Sequence, residues 1–351
     1  MLFHRRTPFA FNFLFTILVT LLCACPVLAQ NCKTCLGSAL GVSGGLPANT
    51  TSTSSNLGSV FFNLADTGDP WTIRKRVNEV TVFFTATKGH KFVDDLREQE
   101  VSVTDDNRPA AKISAFGHQT DLPLRLGLLI DTSNSVNHRF NFEREAARRF
   151  LQKIVRSETD QAFVMGFSDQ TILTQDYTDN AEELAKGISA LRSDGSTALF
   201  DAVRASCLKL ARAADQGPTA RILVLLSDGD DNSSKSTLEQ TIETAQREEI
   251  TIYTITTNNN GYNGAGDQVL KDLAVQTGGQ IFSRESAKET IKAFSLIEQE
   301  MRSRYALAYQ PSDLLEDGRF HRIEIRAQRL NKKFHVHARK GYYARLELSD
   351  N

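Results

Sequence analysis

No block of like charge along the 351 residues reads as a binding tail, and 41 Lys and Arg against 42 Asp and Glu leave a formal net charge of −1. Such a chain has no long-range pull toward nucleic acid or anionic lipid, so nucleic acid is a poor partner for it. Also missing are the G-x-S-x-G elbow, the HExxH helix, the phosphate-binding loop and the dinucleotide glycine fingerprint. Their absence argues for a binding module rather than an enzyme, although a Ser/His/Asp set can assemble in space without a sequence signature. Cysteine is scarce at five residues. Cys32 and Cys35 stand at CxxC spacing, but no second CxxC completes a zinc ribbon, and Leu36 stands where haem attachment would need His.

What is present is an ordinary globular balance, 40% hydrophobic and 24% charged, on a chain long enough for two domains. Its first 29 residues form a separate object. His4, Arg5 and Arg6 give a basic start, Phe9 to Leu22 an uncharged apolar stretch, and Pro26 precedes a small Ala29 suited to cleavage. The stretch is short for a bilayer core of ~30 Å, so residues 1–29 read as a signal peptide and the protein as exported: periplasmic, envelope-associated or secreted. A second reading makes Cys25 the lipid-modified residue of a lipobox-like Leu22-Cys23-Ala24-Cys25, which would be the chain's one link to a membrane. Export brings oxidising conditions, so Cys32 and Cys35 are candidates for a disulfide, local or intermolecular. They lie in residues 30–76, a Gly/Ser/Thr-rich linker too polar to bury its own ordering cost.

Residues 77–120 change to a period-two pattern, with VNEVTVFFTATKG, HKFVDDL, EVSVTDDNRP and AKISAF broken by turn residues. Three or four antiparallel strands are expected. From Leu124 the rhythm alternates buried strands with amphipathic helices: LRLGLLID, a helix with Phe142, Ala146, Phe150 and Ile154 on one stripe, QAFVMGFS, AEELAKGISAL, LFDAVRASCLKLARAA, RILVLLSD and onward to a last helix near Glu289 to Arg302. That order predicts a doubly wound, mostly parallel α/β sheet over residues 121–304. Strands return over 305–346. Neither β set is large enough alone, so the two are expected to pair into a small β-sandwich flanking the α/β domain.

In open α/β sheets, sites form at the carboxyl ends of strands. One strand here ends Asp131-Thr132-Ser133-Asn134-Ser135 and another Ser227-Asp228-Gly229-Asp230-Asp231-Asn232, while Asp194-Gly195-Ser196-Thr197 precedes a helix. These are oxygen donors without His or Cys, which points to one hard cation, Mg²⁺ or Mn²⁺. Asp228, Asp230, Asn232 and Glu239 also mimic a calcium loop, but Ser233 replaces the turn glycine and a strand precedes it, so that reading is set aside. His335 and His337 alternate on a strand and share a face, read as solvent-facing rather than as a metal pair. Cys207, mid-helix, reads as a small core residue.

The set Asp131-x-Ser133-x-Ser135 with Thr197 and Asp228 resembles the metal-ion-dependent adhesion site of the von Willebrand factor A family, over Leu124 to about Arg302. The resemblance implies that Ser133 and Ser135 bind the metal directly. It implies that Thr197, Asp131 and Asp228 act directly or through water. Few carboxylates then touch the ion, and its open octahedral position takes an Asp or Glu carboxylate of a protein partner. More widely, VNEVTVFFTATKG, GLLIDTSNSV, GSTALFDAV, LVLLSDGDDNSS, LAVQTGGQIF and YALAYQP resemble exported von Willebrand A-related proteins abundant in acidobacteria. Asn134 and Val136 depart from the Gly and Met more usual there. Two other readings stay open: a scaffold whose metal site is vestigial, and, less favoured, a metal-dependent hydrolase.

Overall fold

The structure, a computed structural model, describes residues 79–89, 91–119, 122–133, 140–193, 195–213, 219–258, 264–282, 287–313 and 317–344. The expected signal peptide, the linker, Cys25, Cys32, Cys35, Asn134, Ser135 and Asp194 lie outside the described residues.

The period-two region forms β1 (Val80–Lys88), β2 (Lys91–Phe92), β3 (Val101–Asp105), β4 (Arg108–Pro109) and β5 (Lys112–Gln119). That is one more strand than the upper expectation, because β2 and β4 are two-residue hairpin arms. Asp106 and Asn107 join β3 to β4 with φ of 46° and 66°. Left-handed pairs of this kind match the twist of a two-residue hairpin, and Asp and Asn tolerate them.

The alternating region then gives β6 (Leu124–Asp131), α1 (Phe140–Ile154), β7 (Gln161–Phe167), β8 (Thr171–Thr178), α2 (Ala181–Ala190), α3 (Leu199–Ala211) and β9 (Ala220–Ser227). It continues with α4 (Leu238–Arg247), β10 (Thr251–Thr256), α5 (Ala265–Thr277), β11 (Ile281–Phe282) and α6 (Ala287–Arg302). The six strands lie in the order β11-β10-β9-β6-β7-β8, all parallel except β8, which runs antiparallel to β7. β8 was not expected. Its TILTQDYT has no strict alternation because it is a half-exposed edge, reached by a tight turn in which the Ser168 N–H donates to the Gln170 carbonyl at 3.0 Å.

Successive residues of the buried strands feed opposite faces. Leu126, Leu128, Ile130, Val224 and Leu226 pack under α1, α2 and α6, with Ala146, Phe150 and Ile154 of the expected stripe among their neighbours. Leu129, Phe163, Leu223 and Leu225 pack under α3, α4 and α5, where Cys207 is fully buried. Each such fully buried side chain contributes ~1.5–3 kcal/mol of transfer free energy. The far end of the sheet is tied by Asp160, which accepts the Leu124 N–H at 2.9 Å and the Arg156 N–H and Nε–H at 3.0 Å each.

The chain ends on β12 (Arg304–Gln310), β13 (Phe320–Arg329), β14 (Lys332–Lys333), β15 (His335–Ala338) and β16 (Gly341–Tyr343). These pair with the first strands across most of the sequence. One sheet runs β15-β1-β12-β5 with β2 beside β1, and Val80 stands opposite Tyr309. The other runs β14-β13-β3-β4 with β16 beside β13. Val82, Phe84, Tyr305 and Leu307 of the first sheet share one hydrophobic cluster with Val103, Ile323 and Ile325 of the second.

Candidate metal centre

The strand order turns at the centre of the parallel sheet. From β6 the chain crosses to β7 on one side, and from β9 to β10 on the other. A crevice opens at such a switch, outside the carboxyl ends of the two strands. Asp131 ends β6 and Asp228 directly follows β9.

Asp131 is 1% exposed. One carboxylate oxygen accepts the Ser133 backbone N–H at 2.9 Å and the other accepts the Ser227 hydroxyl at 2.7 Å. The Ser227 oxygen in turn accepts the Gly229 N–H at 3.0 Å, so one carboxylate joins the loops after β6 and β9. The Thr132 N–H and hydroxyl both donate to the Phe167 carbonyl at 2.8 Å, pinning the first loop to β7. Burial pushes the Asp131 carboxyl up to about 6, against the hydrogen bonds of Ser133 and Ser227, and the charge on Asp228 pushes with it. A buried carboxylate this poorly compensated is stabilised by a nearby cation.

The Asp228 loop is set by close backbone packing. Gly229 has φ of 83°, and a Cβ on it would run into the Gly266 backbone; a Cβ on Gly266 would run into the Asp228 carbonyl. Only two glycines let this loop rest on the start of α5. Asn258 Nδ2 donates to the same Asp228 carbonyl at 2.8 Å and to Asp267 Oδ1 at 3.1 Å, and the Asp228 Oδ1 accepts the Asp230 N–H at 3.2 Å. Burial pushes Asp230 up, and the charges of Asp228 and Asp267 add to that.

Thr197, 5% exposed, precedes α3. Its N–H donates to Asn232 Oδ1 at 2.9 Å, and its carbonyl accepts the N–H groups of Asn232 at 3.0 Å and Ser233 at 3.1 Å. Ser193 Oγ reaches the Ser133 carbonyl at 3.1 Å. Asp131, Ser133, Thr197 and Asp228 thus stand on three loops hydrogen-bonded to one another at one end of the sheet. The fifth residue of the set, Ser135, lies outside the described residues. The donors offered are carboxylate and hydroxyl oxygens, a set that fits a hard divalent cation.

Ser227, Asn258 and Gly266 hold this arrangement and were not singled out from sequence, and Asn232 was noticed only as part of a calcium-loop mimic. Ser227 and Asn232 lie inside SDGDDN, where their types suggest only a polar loop. Gly266 stands at a helix start, and its need appears only when another loop touches it. Asn232 Oδ1 is engaged by the Thr197 N–H. His335 is exposed and His337 half-buried, with ring centroids 4.4 Å apart. Burial, then the neighbouring His335 and Lys340, push His337 down to about 4. Burial pushes the Cys207 thiol far up, as befits a core residue.

The family model described as the von Willebrand factor type A domain matches residues 126–296. The chain carries a von Willebrand factor type A domain. Among similar solved structures is a von Willebrand factor type A protein from Catenulispora acidiphila, 11% identical, TM-score 0.46, covering 78% of this chain and 76% of that one. Another is the PilB minor pilin from Streptococcus sanguinis, 16% identical, TM-score 0.43, covering 53% of this chain. The match spans only 63% of that pilin's length. A third is the von Willebrand domain of the type V pili tip protein Mfa5 from Porphyromonas gingivalis, 14% identical, TM-score 0.43, covering 52% of this chain and 95% of that one. No curated protein sequence matches the chain. No helix among the described residues is long and apolar enough to cross a membrane.

Proposed function

We propose that this is an exported protein-binding module whose von Willebrand A domain holds one Mg²⁺ or Mn²⁺ and uses it to capture an Asp or Glu side chain of a protein partner. The observation that carries the reading is the buried Asp131 carboxylate, shared between the loops after β6 and β9 and raised by burial with Asp228 near it. Ser133 and Ser135 would hold the ion directly and Thr197, Asp131 and Asp228 directly or through water, with Asp131 also accepting the Ser133 backbone N–H. A bound ion supplies an electrophilic position that a carboxylate can fill, because hydroxyl ligands leave much of its charge unneutralised. The three loops orient the donors, and the Gly229–Gly266 contact fixes where Asp228 stands. We read this donor set as one for capture rather than turnover.

Around that domain we read the two antiparallel sheets as one small β-sandwich, made by residues 77–120 and 305–346 about an inserted 121–304. A cleaved signal over 1–29 and a tether over 30–76 would present it outside the cytoplasm, with lipid on Cys25 as the alternative anchor.

The test is thermal unfolding of the mature chain in excess Mg²⁺ or Mn²⁺ and in chelator, beside Asp228→Ala. An ion held only by the native state at a hundred times its dissociation constant adds ~2.7 kcal/mol. A rise in midpoint for the parent that vanishes in the variant supports the site. A parent indifferent to both ions leaves the scaffold reading, with a vestigial site, in its place.

A further inference from the structure

A second group of metal-ligating side chains lies in the flanking sheets, away from the three site loops. His321 begins the buried face of β13 and is 4% exposed. Its Nδ1 stands 2.9 Å from Asp106 Oδ2 and 3.9 Å from Asp105 Oδ1, and its Nε2 stands 3.1 Å from Asp317 Oδ1. Asp105 is 6% exposed, whereas the Asp106 side chain is 51% exposed.

Each carboxylate is held so that a particular oxygen faces the ring. Asp105 Oδ2 accepts the hydroxyls of Tyr309 at 2.7 Å and Tyr342 at 3.1 Å, which leaves Oδ1 toward His321. Asp106 Oδ1 accepts the Arg322 N–H at 2.8 Å, which leaves Oδ2 toward the same nitrogen. Asp317 Oδ1 also accepts the Arg319 N–H at 2.9 Å. The Tyr342 ring stacks on the imidazole with centroids 5.4 Å apart, fixing its plane.

A neutral imidazole has one N–H and one lone pair. In the tautomer that gives its Nε2–H to Asp317, the Nδ1 lone pair would face, in a buried place, two carboxylate oxygens that are themselves acceptors. Three acceptors then converge with no donor among them, which a second proton on the ring or a bound metal ion would resolve. The carboxylate on the far ring nitrogen is the partner a metal-bound histidine characteristically has, since it fixes the tautomer and raises ligand basicity.

We propose that Asp105, Asp106 and His321 bind a divalent metal of borderline softness, Zn²⁺ being the representative, as a structural cation independent of the adhesion site. One imidazole nitrogen with two carboxylates selects such an ion over Mg²⁺, which prefers all-oxygen octahedral surroundings. The three ligand atoms all lie within 4.8 Å of one another. A tetrahedral ion with bonds near ~2.1 Å needs its ligands ~3.4 Å apart, between the 2.9 Å and 3.9 Å contacts found at Nδ1. The half-exposed Asp106 gives the ion a way in and leaves room for water as the fourth ligand. Bound there, the ion joins the β3–β4 turn to β13, two segments over 200 residues apart in sequence.

The test is Zn²⁺ titration of the full mature chain by calorimetry in excess Mg²⁺, which keeps the oxygen-only site filled, with Co²⁺ absorption as a second readout. The exposed His335 with the nearby His337, and the Cys32/Cys35 pair, are competing Zn²⁺ loci, so the parent carries His335→Ala, Cys32→Ser and Cys35→Ser. The expected result is one Zn²⁺ per chain and visible Co²⁺ bands, both kept by Asp228→Ala. Asp106→Asn, half-exposed and so least able to disturb folding, should weaken Zn²⁺ by 10-fold or more, and His321→Gln should abolish the Co²⁺ bands. Zn²⁺ affinity unchanged in Asp106→Asn overturns the proposal. So does a parent that binds no Zn²⁺ under these conditions, for then a proton alone occupies the cluster.

Discussion

Asp131 and Asp105 are both buried carboxylates at the end of a strand, one in the parallel sheet and one in the flanking sheets, and they are held in different ways. Asp131 takes a backbone N–H two residues on and a hydroxyl from the neighbouring strand end. Its surroundings are loops that successive βα units bring to one edge, so its geometry depends on glycine contacts between loops. Asp105 takes two tyrosine hydroxyls from strands 204 and 237 residues away in sequence. Its geometry depends on the chain's two ends having already paired. Damage to the first region should therefore show in ion binding before stability, and damage to the second in stability first.

The largest effect that would break this contrast is at Tyr305. It is fully buried, stacks on Phe84 and Phe116 at 5.3 and 5.4 Å, and its hydroxyl accepts the Leu96 N–H and donates to the Val93 carbonyl. Tyr305→Ala should cost ~3–5 kcal/mol, read as a lowered urea midpoint for the whole chain. A loss confined to a separate early transition, with the parallel sheet melting as before, would show that the flanking sheets are not coupled to it.

Asp160 supplies the next effect, at the end of the parallel sheet far from the Asp131 and Asp228 loops. Burial alone would raise its carboxyl, but the Arg156 side chain and the backbone N–H groups of Arg156 and Leu124 hold it below the usual carboxylate range. A folded-state value below the unfolded one of ~3.9 means a contribution present above that pH and lost as pH falls through the folded value. Asp160→Asn should remove roughly 1–3 kcal/mol near neutrality, the half-exposed Arg156 tempering the figure. Acid-unfolding curves below pH ~4 should then be flatter for the variant than for the parent. Equal slopes would show that the ion pair contributes nothing.

Gly266→Ala sharpens the contrast from the other side. Its new methyl meets the Asp228 carbonyl, so the loop must shift, at ~1–3 kcal/mol. The stabilisation gained from Mg²⁺ should fall by more than the metal-free stability does. A variant that loses stability but keeps its full Mg²⁺ response would place Asp228 outside the ion's ligands.

How much of this was legible beforehand follows from the same difference. The parallel sheet could be read because each of its strands is a run of apolar residues closed by a polar cluster, as in LRLGLLID and RILVLLSD, with a helical stripe between. Asp131, Ser133 and Asp228 could be picked out because they stand where such strands end, whereas Thr197, ahead of a helix, was named through the resemblance to the von Willebrand A site. β8 could not be read so, being half-exposed, and Gly266 was silent because its reason is the Asp228 carbonyl, far off in sequence. In the flanking sheets, the strands and the pairing of the two sets were visible, and which strand lies beside which was not. His335 and His337 drew notice by spacing, while His321, two of whose three carboxylates come from the β3–β4 turn over 200 residues away, did not. Pattern reports what a residue's neighbours in sequence require, and the flanking sheets are built from neighbours in space.

The smallest effect lies in that same sheet, where two hairpins can be compared directly. Asp106-Asn107 and Leu330-Asn331 both have two successive positive φ values, 46° and 66° in the first, 48° and 64° in the second. The first pair is chemically suited to that backbone; leucine is not, since its Cβ crowds the carbonyl at a cost of roughly 1 kcal/mol. Leu330 is 92% exposed, so no packing offsets that cost within the chain. Leu330→Asn should therefore stabilise the protein by up to ~1 kcal/mol, seen as a small rise in the urea midpoint with unchanged slope. A loss instead would mean that the leucine is covered in solution, by a second copy of the chain or another partner, and the hairpin tip would then be a contact surface.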